Sequence, residues 1–318
     1  MVRSEIEDVF FNPETNERVR EGLPEVLVTL IEYSTHLGDG LTLIVLGALL
    51  YWFGADRRRD RRALVMAIGV GALAISTGIK GIVALERPAV ALEFAQSDYP
   101  GYSFPSAHAL GAAAVYGALA AVADTGKPLY RYVLAGVVIG IVALSRVVLG
   151  VHYLGDVLAG VVIGLVFVWL VLRSSRPEPT FVFVLSGAIA ALAWLLGSTE
   201  FTTMAIGAAI GGAATWWYVG HQSWRPYAAS IIFLAYLVVP LYFVVRAISF
   251  LWGVHWGVEV VGYAVATAAV MLVPLLAERM NDWPPVEWLQ EKLPTRGRII
   301  VIERPITETD GTQDASGP

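Results

Sequence analysis

The stretch SRVVLGVHYLGD, residues 145–156, places an arginine, a histidine and an aspartate between two long apolar runs. Two further polar stretches precede it, KGIVALERP at residues 80–88 and PSAH at residues 105–108. Together they supply three cations (Lys80, Arg87 and Arg146), two histidines (His108 and His152) and one carboxylate (Asp156). Such groups are scarce elsewhere: 56% of the 318 residues are hydrophobic, only 15% are charged, and the mean hydropathy is +0.63. A soluble domain carries about 25% charged residues, so the composition points to an integral membrane protein. Ionisable groups set among membrane spans are costly and call for a functional reason.

Working outward, the apolar runs define an all-α integral membrane protein of about nine spans. Helices satisfy their own backbone polar groups in lipid, whereas a barrel would show shorter alternating segments. Residues 1–24 are polar, with a weak amphipathic pattern around Val9, Phe10, Phe11, Val19 and Leu23, and read as an arm lying at the interface. The first apolar run, from Pro24 to Phe53, is interrupted by Glu32, His36 and Asp39, and only residues 37–53 are cleanly compatible with lipid. Further spans are predicted near 63–85, 104–123, 130–149, 153–172, 181–197, 202–219, 228–248 and 256–276. The span at 202–219 is the weakest, because its middle is small and only mildly hydrophobic. The organisation is thus an arm (1–24), a first transmembrane domain (25–175), an additional four-span module (181–276) and a polar tail (277–318), which we expect to be ordered only in part.

The net charge of −5 offers no basic face to replace counterions, which argues against nucleic acid as a partner. The absence of cysteine removes disulfide and thiolate chemistry. The first residues are charged and show no signal-peptide pattern. With nine spans, the loops at 54–62, 124–131, 173–180 and 220–227 share one side with the tail and hold fifteen Lys and Arg residues, against seven on the other side. The positive-inside rule then makes that side, and the C-terminus, cytoplasmic. The arm and the three polar stretches face outward.

Threading the chain through these spans gathers Lys80, Arg87, His108, Arg146, His152 and Asp156 at one membrane face. His152 and Asp156 are four residues apart, so on a helix they share a face and the carboxylate can hold one imidazole nitrogen. The other nitrogen is then available for attack. The three cations suit a tetrahedral anion and the charge that develops on it. His108 remains as a proton donor to a leaving oxygen. Each cation alone could be a snorkelling anchor; six such groups on one face are harder to explain that way. A metal is disfavoured, since the same cations would repel it.

At these residues the chain resembles the type 2 phosphatidic acid phosphatase (PAP2) superfamily, which also includes vanadium haloperoxidases and bacterial acid phosphatases. Lys80-x6-Arg87-Pro88, Pro105-Ser106-Ala107-His108 and Ser145-Arg146-x5-His152-x3-Asp156 look like its three signatures, in order and with the expected internal spacing. Ala107 stands where the middle signature usually has glycine; alanine keeps the backbone N–H, so tuning rather than loss is expected. The resemblance implies that His152 forms a phosphohistidine, that Asp156 orients it and that His108 protonates the leaving group. It implies phosphate binding by Lys80, Arg87, Ser106, Ala107 and Arg146, with no metal and no cofactor. It covers roughly residues 25–175 and departs from the family's usual six core spans, since only two convincing spans precede the middle signature.

Three functions compete on these residues. The first is hydrolysis of a membrane lipid phosphate monoester or diphosphate in the outer leaflet: phosphatidate, phosphatidylglycerol phosphate or a polyprenyl diphosphate. The second is phosphotransfer to an alcohol or sugar. The third is a lipid or headgroup transporter, against which the complete histidine–acid pair argues, since transport needs cations but no relay. Oxidation of dissolved halide gives no reason for membrane burial. His36 and Asp39 are candidates for the mouth of the site. His255 and Glu259 form an i,i+4 pair that could shape substrate, an interface pair being the plainer reading, and His221 falls on the opposite side.

Overall fold

The computed structural model describes residues 9–54, 59–88, 101–124, 126–174, 177–253 and 255–293. The arm's first eight residues, Arg57 and Arg58, most of the loop between the first two signatures, and the tail beyond residue 293 lie outside the described residues. Every extended element described is helical: α1 (Pro13–Glu21), α2 (Glu25–Ser34), a 3-10 turn (Thr35–Gly38), α3 (Gly40–Phe53), α4 (Arg59–Val83), α5 (Ala107–Val122), α6 (Pro128–Val148), α7 (Leu154–Arg173), α8 (Pro179–Leu196), α9 (Thr202–Val219), α10 (Ala228–Trp252), α11 (Trp256–Glu278) and α12 (Pro284–Lys292).

Local chemistry sets the helix ends. Pro128 and Pro179 occupy first-turn positions, where the missing N–H costs nothing. The Glu178 carboxylate caps α8 by accepting from the Phe181 N–H at 2.9 Å. Asp156 accepts from the Tyr153 N–H at 2.9 Å and closes the first turn of α7. Gly253 ends α10 in the left-handed region at φ +53°, which glycine adopts without a Cβ clash.

Six helices (α4, α6, α7, α8, α10 and α11) are long and apolar enough to cross a membrane; the bent pair α2–α3 makes seven if taken as one span. The expected nine are therefore not all present by this criterion. The first apolar run is broken instead of continuous, with a bend of 57° between residues 25–38 and 40–53. Helix α5 has only 16 residues, and the 18-residue α9 is not among the crossing helices. The physical reason is shared: both are packed on several sides by other helices, with Ala109, Leu110, Ala112, Ala113, Ala205 and Ala209 buried. Helices that meet protein can be small and weakly hydrophobic, because close approach matters more than lipid affinity.

Glycines mediate the approaches that position the site. A Cβ on Gly160 would lie 2.8 Å from the Ser106 carbonyl oxygen, and one on Gly164 would lie 2.6 Å from the Leu110 carbonyl oxygen. This Gly-x3-Gly edge lets α7 press directly against α5. Gly81 and Gly197 meet backbone to backbone in the same way, joining the end of α4 to the end of α8. One continuous hydrophobic cluster runs from Leu64 and Ile68 through Phe167 to Phe183, Trp216 and Met271, and so includes helices from both halves of the chain. At the end opposite the signatures, Arg59 donates to the carbonyls of Gln222 (2.7 Å) and Trp224 (3.2 Å), and Arg61 pairs with Asp124 at 3.6 Å. Three of the connections that the charge count assigned to one side, 54–62, 124–131 and 220–227, thus meet at one end of the bundle.

Candidate active site

The three signatures converge because each sits at a helix end on the same face of the bundle. Lys80 is in the last turn of α4, and the chain then turns through Ala84 (φ +49°) to bring Arg87 back over the bundle. Ser106 caps α5, with its hydroxyl accepting from the Ala109 N–H at 3.5 Å; Ala107 and His108 follow in the first turn. Arg146 lies in the last turn of α6, and Gly150, at φ +67°, folds the short connection that carries His152 to the start of α7. Two backbone bonds tie these ends together: Ser103 N–H to Leu85 at 2.7 Å and Ser106 N–H to Asp156 at 3.0 Å.

His152 is buried, and every polar atom of its ring has a neighbour. Arg87 Nη1 stands 3.1 Å from Nε2 and also donates to the Val151 carbonyl at 2.8 Å. Nδ1 faces Asp156 Oδ2 at 3.5 Å and the Ser103 hydroxyl at 3.3 Å. That hydroxyl donates to the same Asp156 oxygen. Ser103 is therefore placed between histidine and aspartate, able to accept from Nδ1–H while donating to the carboxylate. This arrangement favours the tautomer with the proton on Nδ1 and a lone pair on Nε2. Burial holds the His152 pKa well below its ordinary value, and the charges of Arg87, Arg146 and Lys80 and neighbouring His108 push it the same way. This lowering favours the neutral form of the imidazole.

Lys80 Nζ donates to the carbonyls of Tyr102 and Ser103, the latter at 3.1 Å, which draws the chain ahead of α5 onto the end of α4. Arg146 is buried and donates to the Thr35 hydroxyl at 2.6 Å. Asp39 lies at the bend between the 3-10 turn and α3, and its two oxygens serve two imidazoles: Oδ1 meets His108 Nε2 and Oδ2 meets His36 Nδ1, each at 2.7 Å. The structure thus brings all eight candidate catalytic and phosphate-binding residues to one end and adds His36 and Asp39 at its exposed rim. Ser103 and Thr35 had no place in the sequence reading. The signal for Ser103 was its position two residues before Pro105 in an otherwise apolar context; for Thr35 nothing in the sequence pointed to Arg146.

His255 and Glu259 do not pair with each other. His255 caps α11 by accepting from the Gly257 N–H at 3.1 Å, and Glu259 accepts from the Thr203 hydroxyl at 2.7 Å. His221 is exposed in the turn after α9. Among the described residues no group of three or more His, Asp or Glu side chains is arranged to hold a metal ion. In the His36–Asp39–His108 row the two rings bond opposite oxygens of one carboxylate, so their nitrogens do not converge on a point. An apolar groove of about 580 Å³, lined by residues such as Phe167, Leu170 and Phe181, includes none of these residues and takes no part in this site.

A helical bundle with a buried histidine among three cations, held by an aspartate one turn into the next helix, defines a class of anion-handling membrane protein. The profile of the PAP2 superfamily matches residues 62–179. Phosphatidylglycerophosphatase B of Bacillus subtilis (strain 168) is 31% identical over 147 residues, covering 43% of this chain and 70% of that protein. Decaprenylphosphoryl-5-phosphoribose phosphatase of Mycobacterium tuberculosis (strain H37Rv) is 37% identical over 147 residues, covering 46% of this chain and 76% of that protein. A crystal structure described as the first transmembrane PAP2 type phosphatidylglycerolphosphate phosphatase, from Bacillus subtilis, aligns with a TM-score of 0.44 at 27% identity, covering 52% of this chain and 87% of that one. The chain belongs to the PAP2 superfamily, in its membrane-embedded lipid phosphatase branch.

Proposed function

We propose that the protein hydrolyses a lipid phosphate monoester or diphosphate without a metal, through a phosphohistidine at His152. The observation that carries this reading is the His152 ring, with Nδ1 beside Ser103 and Asp156 and Nε2 beside the Arg87 guanidinium. In the first step Nε2 attacks phosphorus; the P–N bond forms as the ester P–O bond breaks, and His108 gives its proton to the leaving oxygen. In the second step His108 takes a proton from water, whose oxygen displaces the imidazole. Phosphate is released and both histidines return to their starting states. Lys80, Arg87 and Arg146 hold the phosphoryl oxygens and stabilise their charge in the transition state. Ser106 and Ala107 contribute as the N-terminus of α5, where first-turn N–H groups favour an anion.

The three cations around His152 make the site hostile to a divalent metal, which supports metal-independent chemistry. EDTA is accordingly expected to leave phosphate release unchanged, whereas vanadate, a phosphate mimic, should inhibit it. Loss of activity on chelation, restored by a divalent cation, would overturn the metal-free reading.

The relatives' names both specify phosphate carried on a lipid, which supports a membrane lipid substrate. Phosphatidate, phosphatidylglycerol phosphate and polyprenyl diphosphate are the candidates. Phosphate release from that panel by purified protein separates them, and transfer of phosphate to an added alcohol in place of water would identify a phosphotransferase. The site opens at His36 and Asp39, which form its mouth on the extracytoplasmic face, and the C-terminus is cytoplasmic. Residues 25–175 form the catalytic domain and residues 181–276 an additional module. Counting α5, α9 and the α2–α3 pair as crossings gives nine.

Asp39 has a second part in this mechanism. Its carboxylate, bonded to His108 Nε2 at 2.7 Å, orients that ring and pairs with the positive charge of its protonated form, the form that acts as the acid. Asp39→Asn is expected to lower turnover of lipid phosphate by about tenfold, and to spare p-nitrophenyl phosphate, whose leaving group needs no proton. Equal losses on both substrates would remove Asp39 from the acid step.

A further inference from the structure

The arm preceding the first span lies outside the family-matched segment, yet it makes close contact with the loop that carries His152. Helix α1 is well specified locally. Asn12 caps it by accepting from the Glu14 N–H at 2.9 Å, and Pro13 opens its first turn. Asn16, Val19 and Arg20 occupy positions i, i+3 and i+4, which share one face of a helix. The Asn16 amide is buried and donates to the main-chain carbonyl of His152 at 2.8 Å. Val19 packs on a cluster of Ala109, Val147 and Val157, the immediate sequence neighbours of His108, Arg146 and Asp156. Arg20 donates to the Val148 carbonyl at 3.0 Å and pairs with Glu32 of α2 at 3.1 Å. Ahead of the helix, the Phe11 ring packs at a tilt against Tyr153 with ring centres 6.0 Å apart, and a Cβ on Gly155 would fall 2.6 Å from the Phe11 ring.

We infer that α1 is a clamp on the catalytic loop and that Asn16 is a positioning residue for His152. This rests on the phosphohistidine reading. The loop at residues 149–153 is short, and the His152 carbonyl is buried beside the ring that must be aimed. An unpaired buried carbonyl is driven to find another donor, and the peptide would rotate to do so. Rotation would move Nδ1 off Ser103 and Asp156 and swing Nε2 away from Arg87. An error of about 1 Å in a reacting group costs on the order of 100-fold in rate. The Asn16 hydrogen bond goes to the His152 carbonyl, so its loss is expected to act on the chemical step and to spare substrate binding.

Asn16→Asp tests this, since it keeps the shape and replaces the amide donor by an acceptor facing the carbonyl. The full-length protein is assayed in detergent micelles of phosphatidate, with Asn16→Gln, which retains the amide, and the exposed Arg18→Ala as comparisons. The expected result is a fall in kcat of about 10- to 100-fold for Asn16→Asp, with KM unchanged and a slower build-up of acid-labile, alkali-stable phosphoprotein. Asn16→Gln should recover part of the loss, and Arg18→Ala should match the wild type. An unchanged kcat, or a loss confined to KM or to melting temperature, overturns the inference. Should Asn16→Asp fail to fold, Asn16→Ala takes its place; failure of both shows that the contact holds the fold and not the histidine, and also overturns it. His152→Ala is run alongside. If it remains fully active the phosphohistidine reading has failed, whereas an inactive His152→Ala with an unaffected Asn16→Asp rejects only the clamp.

Discussion

His152→Ala is expected to lower phosphate release from lipid phosphate by at least about 10⁴-fold. The substitution removes the only imidazole that the structure places between Arg87 and the Ser103–Asp156 pair. His108 is not expected to replace it, because its Nε2 is taken by Asp39 and the proposed mechanism uses it to move the leaving group's proton. The cations remain, so KM should change little while kcat collapses, which is the pattern for an interaction made in the reaction and not in binding. The backbone carbonyl at position 152 still accepts from Asn16, so the loop keeps its tie and the variant should fold. Added imidazole, entering the space left by the ring, should restore a fraction of the rate. Undiminished phosphate release by a folded His152→Ala protein would sink the covalent mechanism.

Asp156→Asn is the second large effect, an expected fall in kcat of about 10²- to 10⁴-fold. One oxygen of this buried carboxylate serves the Ser103 hydroxyl, the Tyr153 N–H and His152 Nδ1. Those neighbours are donors, so an asparagine would keep its oxygen there and turn its amide nitrogen to the Oδ1 position. Asp156 Oδ1 is buried with no hydrogen-bond partner among the described residues. The geometry would survive, at a stability cost of about 1–3 kcal/mol for the unpartnered amide. What is lost is the negative charge that balances the imidazolium as the P–N bond forms. Kinetics and a thermal melt on the same preparation separate the two effects. A raised KM with unchanged kcat would mean that Asp156 acts in binding.

The arm's role places a limit on what family resemblance can supply. The matched segment begins at residue 62, whereas Asn16, Thr35 and Asp39 all precede it and each touches a signature residue. The bend at residues 35–39 serves this arrangement. A straight span from Glu25 to Phe53 would carry Thr35 and Asp39 along one helix axis; the 3-10 turn brings them inward to Arg146 and His108. The sequence shows the interruption through Glu32, His36 and Asp39 and offers His36 and Asp39 as the mouth of the site, but it does not show the bend that turns them inward. The expected count of nine spans exceeds the six or seven helices long and apolar enough to cross for a related reason. Hydropathy reports how a helix would meet lipid, whereas α5 and α9 largely meet protein.

By itself the sequence determined the helical class, the ends of most helices, and the identity of the charged groups gathered at one end of the bundle. Those features depend on short-range rules: the length of an apolar run, a proline or acidic cap at its start, and a four-residue spacing that sets His152 and Asp156 on one face. Tertiary structure decided how the groups are held. Ser103 stands between His152 and Asp156, Asp39 bridges two histidines, and the Asn16 amide reaches the His152 carbonyl across 136 residues of chain. No local pattern encodes such pairings, because each depends on a helix bend, a glycine edge or a buried carbonyl whose partner is fixed only when distant segments pack.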